Sequence, residues 1–116
     1  MRHRSGYRKL NKATDQRLAM FRSMARALFE HGRVKVTCAR AKEVRRMVEK
    51  VITLAKAGDL SSRRKAISML VKPDIVKKVF DEAKTRFAEK GSGFTRITKI
   101  GNRVGDAAPV ALLELI

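Results

Sequence analysis

The chain has 116 residues, enough for one ordinary domain, and 44% of them are hydrophobic, a normal share for a chain that builds a core. Lys and Arg number 28 against 11 Asp and Glu, a net charge of +17 that attracts polyanions, so nucleic acid or an anionic membrane is the first partner to weigh. The single Cys38 excludes an internal disulfide and a thiolate metal cluster, and no apolar run reaches the ~18 residues of a membrane-spanning helix.

The basic start, Arg2-His3-Arg4, leads into polar residues and not into an apolar stretch, which argues against a secretory signal and for a soluble, reduced, intracellular protein. The charge is uneven: residues 1–58 carry 16 basic and 4 acidic side chains, residues 59–116 carry 12 and 7. Arg2, Arg4, Arg8, Lys9 and Lys12 all precede the first acid, Asp15, in a stretch with Ser5, Gly6 and no apolar period. That pattern predicts an extended basic tail over residues 1–13, followed by a single domain over 14–116.

The first helix is expected from Thr14 as N-cap, with Asp15 in the first turn and Leu18, Phe21, Ala25 and Leu28 at helical spacing. Arg22 and Arg26 lie one turn apart on the opposite face, and Gly32 ends the run. Arg33-Val34-Lys35-Val36-Thr37 alternates polar and apolar, as a half-buried strand does. Helical period returns from about Ala39 to Ala57. There Val44, Met47, Val48, Val51, Ile52 and Ala55 form one stripe, and Lys42, Arg45, Arg46, Lys50 and Lys56 lie mainly on the other side. Gly58 stops it.

A shorter helix follows from about Leu60 to Val71, with Leu60, Ile67, Leu70 and Val71 as its stripe. After the Lys72-Pro73 break, a fourth helix is expected from about Asp74 to Glu89, with Val76, Val79, Phe80, Ala83 and Phe87 inward. Phe94–Ile100 and Val110–Ile116 are β-prone and read as a hairpin around the loop Gly101–Pro109. The fold class is therefore α+β: about four helices packed on a small sheet of about three strands, with an extended basic N-terminal tail.

Catalysis finds little support. His3, His31 and Cys38 make no metal-ligand spacing, and His31 at a helix end suits the helix dipole. Cys38 has no base near it in sequence and reads as a small apolar group. Gly91-Ser92-Gly93 follows a helix and precedes a strand, the reverse of a nucleotide-binding loop, and reads as a helix stop and turn. No cofactor pocket or small-molecule substrate is indicated. A membrane surface is disfavoured because the amphipathic stripes are needed for a core and the chain has no Trp and one Tyr.

A basic tail, a basic helix face and a loop with Arg96, Lys99 and Arg103 together point to nucleic acid. An arginine-rich arm suits the cavities of irregular RNA. A helix-turn-helix around Gly58 is disfavoured, since the helix after it carries Leu60, Ile67, Leu70 and Val71 and no Asn or Gln for base edges. A DNA-binding nucleoid protein is the main alternative, and an RNA-modifying enzyme a more distant one.

Several motifs in order resemble the L-seventeen family of bacterial large-subunit ribosomal proteins. They are Met1-Arg2-His3-Arg4 with Gly6-Tyr7-Arg8-Lys9-Leu10, Thr14-Asp15-Gln16-Arg17, His31-Gly32-Arg33, and Arg40-Ala41-Lys42-Glu43-Val44-Arg45-Arg46. Ile52-Thr53-Leu54-Ala55-Lys56, Gly93-Phe94-Thr95-Arg96-Ile97, Lys99, Gly101, Arg103 and Gly105-Asp106-Ala107-Ala108-Pro109 complete the set. The resemblance spans essentially the whole chain. It implies an α+β fold, a non-catalytic role in the cytoplasmic ribosome, binding to large-subunit rRNA, and neighbouring large-subunit ribosomal proteins as partners. Three positions depart from the pattern: Phe94 stands where tyrosine is common, Val104 where a basic residue is frequent, and Cys38 where an aliphatic residue is usual. Composition and resemblance together nominate Arg2, His3, Arg4, Tyr7, Arg8, Lys9, Lys12, Arg17, Arg22, Arg26, Lys42, Arg45, Arg46, Lys50, Arg96, Lys99 and Arg103 as RNA-contacting residues.

Overall fold

Helix α1 runs Thr14–His31 and buries Arg17, Phe21, Ala25, Leu28 and Phe29. The structure is a computed structural model and describes residues 13–86 and 93–116; of the tail expected over residues 1–13, all but Ala13 lies outside them. Thr14 is the first helical residue and not the cap. Ala13 holds the N-cap position without a side-chain bond, because its methyl offers no acceptor. Leu18 is exposed, so the inward stripe runs through Phe29 in its place. Gly32, at φ +84°, takes the left-handed turn and returns its N–H to Leu28 O at 2.7 Å.

Strand β1 occupies Arg33–Thr37, as its alternation predicts. Helix α2 starts directly after it and runs Cys38–Ala57. Thr37 caps it by accepting from the backbone N–H of Arg40, so Cys38 is the first helical residue, half-buried. Val44, Val48, Val51 and Ile52 are fully buried, which puts α2 at the centre of the core.

Helix α3 covers Leu60–Leu70, and Asp59 caps it by accepting from Ser62 N at 2.7 Å. The stripe expected here is corrected. Leu60 is 64% exposed and Val71 57% exposed, while Ser62, Ala66 and Leu70, at i, i+4 and i+8, are buried. Val71 lies past the helix end at φ +56°, which turns it away from the packed side. Helix α4 covers Pro73–Ala83 with Pro73 in its first turn and buries Ile75, Val76, Val79, Phe80 and Ala83. It ends well before Glu89: Thr85 N and Arg86 N both return to Glu82 O, making a turn. Phe87 and Glu89 lie outside the described residues.

Strands β2 (Thr95–Asn102) and β3 (Pro109–Leu115) form the hairpin. The sheet is antiparallel in the order β1-β3-β2, so the last strand is the central one. Its partners put Val34, Leu113 and Ile97 in one row and Arg33, Glu114 and Arg96 in the next. The Val34 row faces the helices, and the core joins all four helices to it through Leu28, Ile52, Leu70, Val76, Phe94 and Leu113. The observed architecture is four helices on one side of a three-stranded sheet, an α+β fold.

Candidate nucleic-acid interface

The most regular basic surface is on α2. Lys42, Arg46 and Lys50 follow one another at one-turn spacing, with Arg45 beside them, and all four are exposed. The same helix buries its valines completely, so these cations project from a backbone held by the core. Two of them have local carboxylate neighbours: Arg45 Nε lies 4.0 Å from Glu49 and Arg46 Nη1 lies 3.9 Å from Glu43. Glu43 is buried and Glu49 half-buried, but both guanidinium groups are exposed and the separations are long, which leaves the guanidinium groups available to a phosphate.

A second group lies along β2 and its hairpin. Arg96 pairs with Glu114 across the strands at 3.2 Å, Lys99 is exposed, and Arg103 is bound to Asp106 through both carboxylate oxygens, with Nε donating at 3.1 Å. The Arg103 guanidinium holds the Asp106 carboxyl down at about 2, with help from the N–H of Ala108.

The other nominated residues are placed differently. Arg17 is only 4% exposed, with Nη2 donating to Thr14 Oγ1 at 3.5 Å. Arg22 is half-buried on α1. Arg26 is also half-buried; Nη1 donates to Leu70 O at 3.3 Å, closing the carboxyl end of α3. Arg2, His3, Arg4, Tyr7, Arg8, Lys9 and Lys12 lie outside the described residues.

Several unnominated side chains also matter. Arg33 and Lys35 are exposed on β1, in register with Arg96 and Thr98 through β3. Their alternation with Val34 and Val36 signals a polar face, but the strand order that sets them beside Arg96 has no local signature. Other cations serve the fold. Lys78 Nζ donates to Phe29 O and Glu30 O at the end of α1, Arg63 lies 4.9 Å over the Phe80 ring, and Lys56 lies 5.3 Å over Phe94. Phe94 itself is buried, so the absence of a tyrosine hydroxyl there concerns the core and not an outer surface.

Among the described residues, no three His, Cys, Asp or Glu side chains gather where they could hold a metal, and no helix is long and apolar enough to cross a membrane. What the surface offers is fixed cations on a rigid helix and a strand, a pattern for binding phosphates. The family description "Ribosomal protein L17" matches residues 20–116. The chain belongs to this family. It is 49% identical over 116 residues to the "Large ribosomal subunit protein bL17" of Desulforapulum autotrophicum, covering 100% of this chain and 97% of the relative. It is 48% identical over 112 residues to the protein of the same name from Clostridium acetobutylicum, covering 97% of this chain and 98% of the relative. The Clostridium tetani relative, again of that name, is 45% identical over 112 residues, 97% of this chain and 99% of the relative. Membership in this family identifies a structural protein and not an enzyme.

Proposed function

We propose that the protein is a structural constituent of the large ribosomal subunit that binds and stabilises rRNA. The observation that carries the reading is the rigid stripe of Lys42, Arg46 and Lys50, exposed on a helix whose other face is the core. A chain with +17 repels itself in isolation, and a phosphate backbone relieves that repulsion as the cations replace its counterions. The relatives carry the name of a large-subunit protein, which supports the same destination.

The mechanism is geometric and electrostatic. The α2 stripe sets fixed charges against phosphates, Arg96 adds a cation on the outer face of β2 and Lys99 one at its edge, and the basic residues Arg2 to Lys12 extend the contact between RNA segments. Neighbouring large-subunit proteins complete the surroundings in the cytoplasmic ribosome. Fractionating a lysate on a sucrose gradient tests the assignment. The protein is expected in the large-subunit peak; recovery with nucleoid DNA would overturn it.

A further inference from the structure

The outer face of the sheet carries no described helix. The rows Arg33–Glu114–Arg96, Lys35–Leu112–Thr98 and Thr37–Val110–Gly101 alternate with the buried Val34 row and so point away from the core. Arg33, Lys35, Arg96 and Thr98 are exposed there. At the hairpin end of this face lies a cleft of about 430 Å³, within the ~300–1,000 Å³ of sites that hold small ligands.

The cleft has a local cause. A bulge between Lys99 and Gly101 bends β2, and open space lies where Gly101 has no side chain. Ile100, Val104 and Val110 supply apolar walls; Ile100 and Val104 stand exposed, Val104 almost completely. Lys35 and Arg103 supply the polar edge. These two cations differ. Arg103 is held in one orientation by its two bonds to Asp106, so its charge is largely answered while the flat face of its guanidinium stays available. No carboxylate among the described residues pairs with Lys35, so its charge is unanswered.

A flat, fixed cation face, apolar walls and one free ammonium match the parts of a nucleotide. We propose that this cleft binds one unstacked nucleotide of single-stranded RNA, its base against Arg103, Val104 and Val110 and its phosphate on Lys35. The proposal rests on the rRNA-binding reading and assigns the hairpin end of the sheet, apart from α2, one nucleotide as its ligand. Charge complementarity selects RNA over a protein segment: Asp106 is the acid beside the cleft, and it is engaged by Arg103.

The full chain, ¹⁵N-labelled, is titrated with hexauridylate, with inorganic polyphosphate of equal charge and with a blunt RNA duplex. Hexauridylate is expected to move the amide signals of Lys35, Gly101, Val104 and Val110 saturably; polyphosphate is expected to move Lys35 alone, and the blunt duplex none of the four. Lys35→Ala is expected to reduce the slope of log affinity for hexauridylate against log salt by about 0.7. Arg103→Ala is expected to weaken hexauridylate binding severalfold, with only the small change in the melt that loss of the exposed Asp106 pair brings. Equal responses to polyphosphate would overturn the nucleotide site in favour of charge alone. Silent cleft signals in a chain that still binds rRNA through α2 would overturn it while leaving the rRNA reading intact, and would point to a protein segment as occupant. Failure to bind rRNA at all would remove both.

Discussion

Glu49 sits among the cations of α2, yet its carboxylate serves the fold. It accepts from Thr95 Oγ1 at 2.9 Å and from Phe94 N at 3.2 Å, fastening the start of β2 to the helix. Removing a part-buried charged acceptor costs about 1–3 kcal/mol, so Glu49→Ala is expected to lower stability by that amount in a denaturant melt. Asp106 behaves differently because it lies exposed in the hairpin loop. Its folded value of about 2 lies below the ordinary 3.8, so the stabilisation from its pairing with Arg103 is present above about pH 4 and is lost as pH falls through 2. An NMR titration of its carboxyl is expected to show that low value and to return toward 3.8 in Arg103→Ala. These roles were only partly legible in the sequence. Glu49 and Phe94 lie 45 residues apart, and Arg26 and Leu70 lie 44 apart, so which charges tie elements together depends on packing that no local pattern records. The Arg103–Asp106 pair, three residues apart in the hairpin loop with Gly105 between them, is the kind of contact that spacing alone can suggest.

At the scale of elements, punctuation carried most of the information. Gly32, Gly58 and Pro73 mark three helix boundaries, and the alternation of Arg33–Thr37 marks a strand that the structure reproduces residue for residue. Helix α3 was harder because three turns offer two competing apolar stripes. Ala66 wins over Leu60 since a small side chain permits close approach to the rest of the core, and size is not part of a hydrophobic pattern. The strand order was illegible: a hairpin predicts that β2 and β3 pair, but not that β1 joins on the far side of β3. The two faces of α2 make a sharp pair of expectations. Val48→Ala is expected to cost about 1–3 kcal/mol through lost burial and the cavity left behind. Arg46→Ala removes a side chain that is 59% exposed and paired only at 3.9 Å, so its cost to folding is expected to stay within about 1 kcal/mol while rRNA affinity falls. Asp59→Ala removes the cap of α3 and is expected to lower the midpoint of the same melts.

At the scale of the whole molecule, charge dominates. With 28 basic and 11 acidic side chains the free chain works against its own repulsion, and screening relieves it. Moderate monovalent salt is therefore expected to raise the melting temperature of the free protein while weakening its hold on RNA, opposite trends with one cause. Deleting residues 1–12 removes five Lys and Arg side chains and is expected to weaken rRNA binding and flatten its salt dependence. The central claim is that fixed cations on a core-supported helix neutralise phosphates. Its most direct test is the salt dependence of rRNA affinity for the wild type beside Lys42→Ala/Arg46→Ala/Lys50→Ala. For about eight neutralised phosphates, log affinity is expected to fall by roughly 7 per tenfold rise in salt, and the triple variant, melting nearly as the wild type does, is expected to lose about 2–3 from that slope. A slope unchanged by the triple substitution, or a nearly flat response in the wild type, would contradict the account.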